Sequence, residues 1–215
     1  MPRAKTSAER QEIRDLICQV GERLFVERGV NGVSMRDLTA ELGLSPMAPY
    51  RYFKDKAEIL AAVRAAAFSR FSDTIEAAFA SGKTPAARAR AIGTAYLGFA
   101  LAEPNGYRLI FDLTQPNEDQ YPELAFQSAR AKEILSRQSK DLISAGLAPD
   151  DIEEVTHSLW SAAHGVCVLY MAGKFSSADS ARDAYRNTMR WLFMGLHADA
   201  QKGPRSNSKP VKENP

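Results

Sequence analysis

Apolar residues along the chain recur at helical spacing, and nowhere do they alternate at the two-residue period of a half-buried strand. Between positions 7 and 28 they fall at Ile13, Leu16, Ile17, Val20, Leu24 and Phe25, one stripe that Gly29 ends. The following "VNGV" reads as a turn rather than a hairpin, because no alternating run flanks it. Ser34 opens a short helix that Gly43 closes near Leu42. From Asp55 a long helix carries Ile59, Leu60, Val63, Ala67 and Phe71 on one face to about position 79, and "ASGKTP" breaks it. A helix over 85–103 stops at Pro104. The short helical piece "GYRLIFDL" follows, then the polar loop "TQPNEDQYPE", and helices over 122–145, 149–172 and 177–200. The predicted fold is all-α with about nine helices. Short helices before Asp55 and long ones after it divide the chain. A three-helix head at 1–54 precedes a helical bundle at 55–200, and 201–215 is expected to be a basic, disordered tail.

The stretch "LGLSPMAPYRYFKDKAEIL" (42–60) holds two prolines three residues apart. Ser45 suits an N-cap and Pro46 the first helical position. Pro49 still falls within the first turn, so both prolines can start a helix that neither could occupy centrally. Before it, "SMRDLTAELG" has Ser34 and Asp37 at capping-box spacing. Two short helices joined this way make a helix-turn-helix, whose second helix enters the DNA major groove by its N-terminal residues. Arg36 and Lys56 both sit in first turns, at the positive ends of helix dipoles. That placement is favourable when an anion lies in front of those ends. Tyr50 and Tyr52 offer hydroxyls that would position the helix on phosphates without reading sequence.

Residues 34–60 resemble the DNA-binding head of the tetracycline-repressor-like (TetR) family of bacterial transcription regulators. Leu42, Gly43, Ser45, Tyr50, Tyr52, Phe53, Lys56, Ile59 and Leu60 fit its pattern, and roughly 13–63 carry the likeness. The resemblance implies a homodimeric repressor that binds a palindromic double-stranded operator and has an effector pocket in the body. It places phosphate contacts on Ser34, Ser45, Tyr50, Tyr52 and Lys56, and base contacts on Arg36, Pro46, Met47 and Ala48. Pro49 departs from the pattern, occupying a slot usually held by Leu, Val or an aromatic residue. In the body, "SLWSAAHGVCVLYMAGKF" resembles a subgroup with a Trp followed four and five residues on by His-Gly, here Trp160, His164 and Gly165.

Composition changes this picture little. The chain has 215 residues, with 28 Lys and Arg against 26 Asp and Glu, so net charge does not announce a nucleic-acid binder and local placement must. There is no apolar h-region and no run of membrane-spanning length, and a cytoplasmic location is expected. Cys18 and Cys167 fall in apolar patterns as free thiols. No glycine-rich phosphate loop, nucleophile elbow or HExxH motif supports an enzyme, and no cofactor or metal is expected. His164 is open to three roles: pocket wall, metal ligand or core histidine. The pocket that the resemblance implies is expected among Tyr96, Phe99, Tyr107, Phe111, Trp160 and His164, which favours a mainly apolar small-molecule effector. The last two long helices are apolar on more than one side. Val155, Leu159, Val166, Leu192, Phe193 and Leu196 are therefore the expected dimer contacts. The alternative is an all-helical carrier protein without DNA function.

Overall fold

The computed structural model describes residues 6–111 and 118–203; the expected tail from 204 onward, the last two residues of "GYRLIFDL" and the first four of the polar loop lie outside the described residues. Among these there are eight α-helices, two single-turn 3-10 helices and no strand. The α-helices are α1 (Ser7–Arg28), α2 (Met35–Glu41), α3 (Lys56–Ser81), α4 (Pro85–Ala102), α5 (Pro104–Phe111), α6 (Pro122–Ser144), α7 (Ile152–Met171) and α8 (Ala178–Ala200).

Local chemistry sets most boundaries. Thr6 and Glu9 form a reciprocal capping box at α1, as Ser34 and Asp37 do at α2 and Ser177 and Ser180 at α8. The Asp55 carboxylate accepts the Glu58 N–H at 2.9 Å at the start of α3. Pro85, Pro104 and Pro122 each stand first in their helices, where a missing N–H leaves no bond unmade. At the far ends, Gly29 and Gly43 adopt φ +72° and +62°, a region that a side chain resists.

The chain forms two compact units, Met1–Thr74 with Phe99–Lys132, and Ile75–Gly98 with Glu133–Pro215. In the first, Ile17, Leu24 and Phe25 of α1 pack with Val33, Leu38, Phe53, Ile59, Leu60, Val63 and Leu109 into one buried core. Leu16, expected on the same stripe, faces out instead. Arg70 bridges the carboxylates of Glu22 and Glu103, tying α1 and α3 to the end of α4. Phe71 lies 5.3 Å from Phe99 and 5.9 Å from Phe111, edge to face. In the second unit α7 packs along α8, and Arg88 of α4 grips Asp141 of α6 with two hydrogen bonds of 2.7 and 2.8 Å.

Candidate functional site

The expected recognition helix from Ser45 is not an α-helix. Residues 45–48 form a turn closed by the Ala48 N–H donating to the Ser45 carbonyl at 2.9 Å, and Pro49–Arg51 is a 3-10 turn. Pro49 explains this. An α-helix would need an N–H at position 49 for the Ser45 carbonyl, and proline has none, so Ala48 takes that acceptor with the tighter spacing. Pro49 itself is buried, filling the apolar slot that the sequence pattern assigned to a larger residue.

This irregular segment is held from outside. Arg14 of α1 donates to the Tyr52 carbonyl, and its guanidinium lies 4.2 Å from the centre of the Phe53 ring. Arg10, one turn earlier, reaches the Arg51 carbonyl at 3.5 Å and lies over the Tyr52 ring. Sequence reasoning missed both arginines. The available signal was two basic residues four apart, on one face of a helix otherwise read only for its apolar stripe.

Pro46, Met47, Ser45 and Tyr50 are left exposed, Met47 by 68 %, with Ala48 and Tyr52 half-buried. Arg36 is exposed near the start of α2. Ser34 is spent on the capping box, its hydroxyl 2.5 Å from the Asp37 carboxylate. That hydrogen bond holds the Asp37 carboxyl below its ordinary range. An anion in front of the helix end would explain the place of Lys56, and the structure supplies this lysine with a further partner. Its ammonium donates to the Val30 carbonyl at 2.7 Å, pinning α3 to the turn after α1. Two of its three N–H donors stay available.

The expected pocket residues are not brought together. Phe99, Tyr107 and Phe111 belong to the aromatic cluster of the first unit, with Tyr107 and Phe111 centred 4.7 Å apart. Tyr96 and Trp160 meet in the second unit, where the indole N–H donates to the Tyr96 hydroxyl at 3.0 Å. They line a cavity of about 30 Å³ with Gln138, Ser139, Thr156 and Tyr185, room for one or two waters. His164 stands 6.5 Å from the Trp160 ring, edge to face, and is half-buried; desolvation lowers its pKa. Burial also raises the Tyr185 phenol and pushes the Cys18 thiol up to about 11.

The expected dimer contacts need correction. Val155, Leu159 and Val166 are buried within the chain itself, against its own neighbours, and only Leu192, Phe193 and Leu196 remain half-buried. The large apolar side chains that α7 and α8 leave in solvent are Ile152, Trp160, Val168, Leu169, Trp191 and Met194.

Residues 17–63 match the model of the bacterial regulatory proteins of the tetR family, and residues 89–192 that of the tetracyclin repressor-like C-terminal domain. The chain belongs to the TetR family. It is 27% identical over 145 residues to the HTH-type transcriptional regulator Mb1846 of Mycobacterium bovis, covering 66% of this chain and 61% of that protein. It is 28% identical over 135 residues to the HTH-type transcriptional activator FasR of Mycolicibacterium smegmatis, covering 63% and 60%. The chain thus spans less than two thirds of the length of either relative. Among solved structures, a tetR-family regulatory protein from Rhodococcus RHA1 superposes with a TM-score of 0.71 at 20% identity, over 89% of this chain and 97% of that one. FadR from Bacillus subtilis, solved with stearoyl-CoA, gives 0.72 at 14% identity, over 85% and 99%. The match over residues 17–63 covers the expected helix-turn-helix and weighs against a carrier protein without DNA function. Among the described residues no helix is long and apolar enough to cross a membrane.

Proposed function

We propose that this TetR-family chain is a repressor that binds a palindromic operator as a homodimer and is released by a small, mainly apolar effector. Head and body divide at 54/55 in this reading. The observation that carries it is the recognition segment. Pro46, Met47 and Tyr50 are exposed on a turn whose other side is locked by Pro49, Arg10 and Arg14. A rigid turn with small or unbranched side chains lets the backbone approach base edges, which is where sequence is read. Base contacts fall to Arg36, Pro46, Met47 and Ala48, and phosphate contacts to Ser45, Tyr50, Tyr52 and Lys56. Ser34 would have to turn its one O–H from the Asp37 carboxylate to donate to a phosphate.

The homodimer is supported by the outer side of α7 and α8. Ser161, Val168, Trp191, Gly195 and Ala198 are exposed at helical spacing, Trp191 by 62 %, with the half-buried Gly165 between the first two. A Cβ added at Gly165 or Gly195 would meet nothing within 4 Å. The chain's own packing therefore gives no reason for glycine at either position, and a close partner helix does. On this reading the two-fold contact uses the outward residues and not Val155, Leu159 or Val166.

For the effector, the Tyr96–Trp160 pair and its cavity mark the place in the second unit where a ligand would have to open space. FadR's stearoyl-CoA supports an acyl-bearing class. A gel-shift titration against DNA flanking the chain's own gene tests the reading. With roughly four to eight phosphates neutralised per dimer, log affinity should fall against log salt with a slope of about −4 to −7. A slope near zero on every duplex tried would reject DNA binding. An effector that tightens the complex would reverse the repressor-release order.

A further inference from the structure

A second recess lies in the second unit, between α4, the end of α6 and α8. It is a groove of about 600 Å³, the size of a small-molecule site and some twenty times the inner cavity. Its floor is apolar: Ala89, Leu142, Leu147, Met189 and Phe193. Its rim is basic, with Arg90 on α4 facing Arg186 and Arg190 on α8 and His197 at one end, and no Asp or Glu lines it. That is unusual on a chain whose acids and bases nearly balance. Among the described residues Arg186 is held by Asp183, but neither Arg90 nor Arg190 takes part in an ion pair. Arg190 lies against the ring of Trp191, 5.8 Å from its centre.

Two like charges are placed at the mouth of an apolar trough at an electrostatic cost, and that cost is removed by an anion. We propose that this groove binds a soluble amphipathic anion, its carboxylate or phosphate between Arg90 and Arg190 and its hydrocarbon chain along Leu147, Met189 and Phe193. At 100° per residue, Met189 and Phe193 lie on the side of α8 opposite Trp191 and Gly195. A partner helix on the outward face therefore leaves the trough open, with Met194 at the border of both. Ala89, Tyr185, Met189 and Phe193 line the groove and also the inner cavity, so a chain seated in the groove touches the wall of the Tyr96–Trp160 site.

This site goes beyond the operator-binding reading and is tested without DNA, so its failure leaves that reading intact. The full chain is titrated with decyl phosphate below its micelle concentration, following the fluorescence of its two tryptophans and heat. Saturable one-to-one binding is expected. Decanol, with the same tail and no charge, should bind roughly tenfold or more weakly, and inorganic phosphate alone should not saturate. Arg90→Gln and Arg190→Gln should each weaken binding by roughly fivefold and together by more. Arg182→Gln, which removes an exposed charge elsewhere on α8, should leave it unchanged. Equal affinity for decanol and decyl phosphate would overturn the proposal. So would an Arg90→Gln/Arg190→Gln protein that binds as well as the parent, an equal loss with Arg182→Gln, or saturation only on phosphatidylglycerol vesicles.

Discussion

Gly93 lies in the middle of α4, where alanine would ordinarily stabilise a helix by about 1 kcal/mol. Here a Cβ would fall 1.8 Å from the hydroxyl of the buried Tyr185, so the ring would have to shift toward the cavity or the groove that it lines. Gly93→Ala should therefore lower stability, by about 1–3 kcal/mol as overpacking does. Tyr185→Phe in the same chain should recover part of the loss, because the nearest ring carbon, at 3.0 Å, still makes a tight contact. Urea midpoints of the two single variants and the double decide it. A stabilised Gly93→Ala would mean that the tyrosine yields. His164 supplies a pH-dependent case. Desolvation lowers its pKa in the folded state, so between that value and the ordinary 6.5 the unfolded chain holds more protons. Stability must then rise with pH through that window and fall as pH drops through it. His164→Asn should flatten that part of the stability–pH curve relative to the parent, and an unchanged curve would show that the imidazole is solvated. The Gly93–Tyr185 approach was not legible in the sequence. Spacing along one helix shows which residues share its face, but Gly93 and Tyr185 meet only once separate helices pack.

At the scale of elements, the ends of helices were legible and the recognition segment was not. Capping residues, first-position prolines and closing glycines act within a few residues of themselves, which is why α1, α6 and α8 begin and end within a residue or two of where the sequence put them. Asp151 caps α7, two residues past the proline expected to start it, because its carboxylate takes the Glu154 N–H. The segment after Ser45 is different. Losing one N–H at Pro49 leaves a choice between an irregular α turn and a turn followed by 3-10 helix, and Arg10 and Arg14 from a distant helix help settle it. Pro49→Leu restores the donor and keeps a buried apolar side chain. It should lengthen the helix, leave the salt slope unchanged and alter which sequences are selected from a random duplex pool. Identical selected sequences would show that the proline does not shape base contact. Lys56→Ala removes a charge-assisted bond to the Val30 carbonyl as well as a phosphate contact. It should cost about 1–2 kcal/mol of stability and weaken all duplexes alike. A Lys56→Ala protein as stable as its parent would reduce the Val30 bond to a surface contact.

For the whole molecule the question is what a second copy would cover. The sequence reading puts the dimer surface on α7 and α8, and three of the residues it names there are buried in their own chain. Val155, Leu159 and Val166 are apolar because α7 packs on its own chain, and periodicity alone does not say which of two apolar sides faces inward. The exposed side is marked instead by what it lacks. Gly165 and Gly195 each sit inside a helix, where glycine costs about 1 kcal/mol relative to alanine, with nothing of their own chain near the missing Cβ. If the chain acted as a monomer, replacing either by alanine would stabilise it. If two copies pack there, the added methyl would hold the partner helix away and weaken association, while the separated chain grew more stable. The two outcomes have opposite concentration dependence, so melting temperatures of Gly165→Ala and Gly195→Ala across a wide dilution series distinguish them. Trp191→Glu adds the strong case. A carboxylate buried in a dimer contact of the usual 1,200–2,000 Å² should give monomers by sedimentation with helix content intact. Those monomers should also lose operator affinity, because a palindrome is read by two heads spaced about one DNA turn apart, about 34–36 Å, and a single head makes only half the contacts. A Trp191→Glu protein that sediments and binds operator like its parent would move the two-fold contact off α7 and α8 altogether.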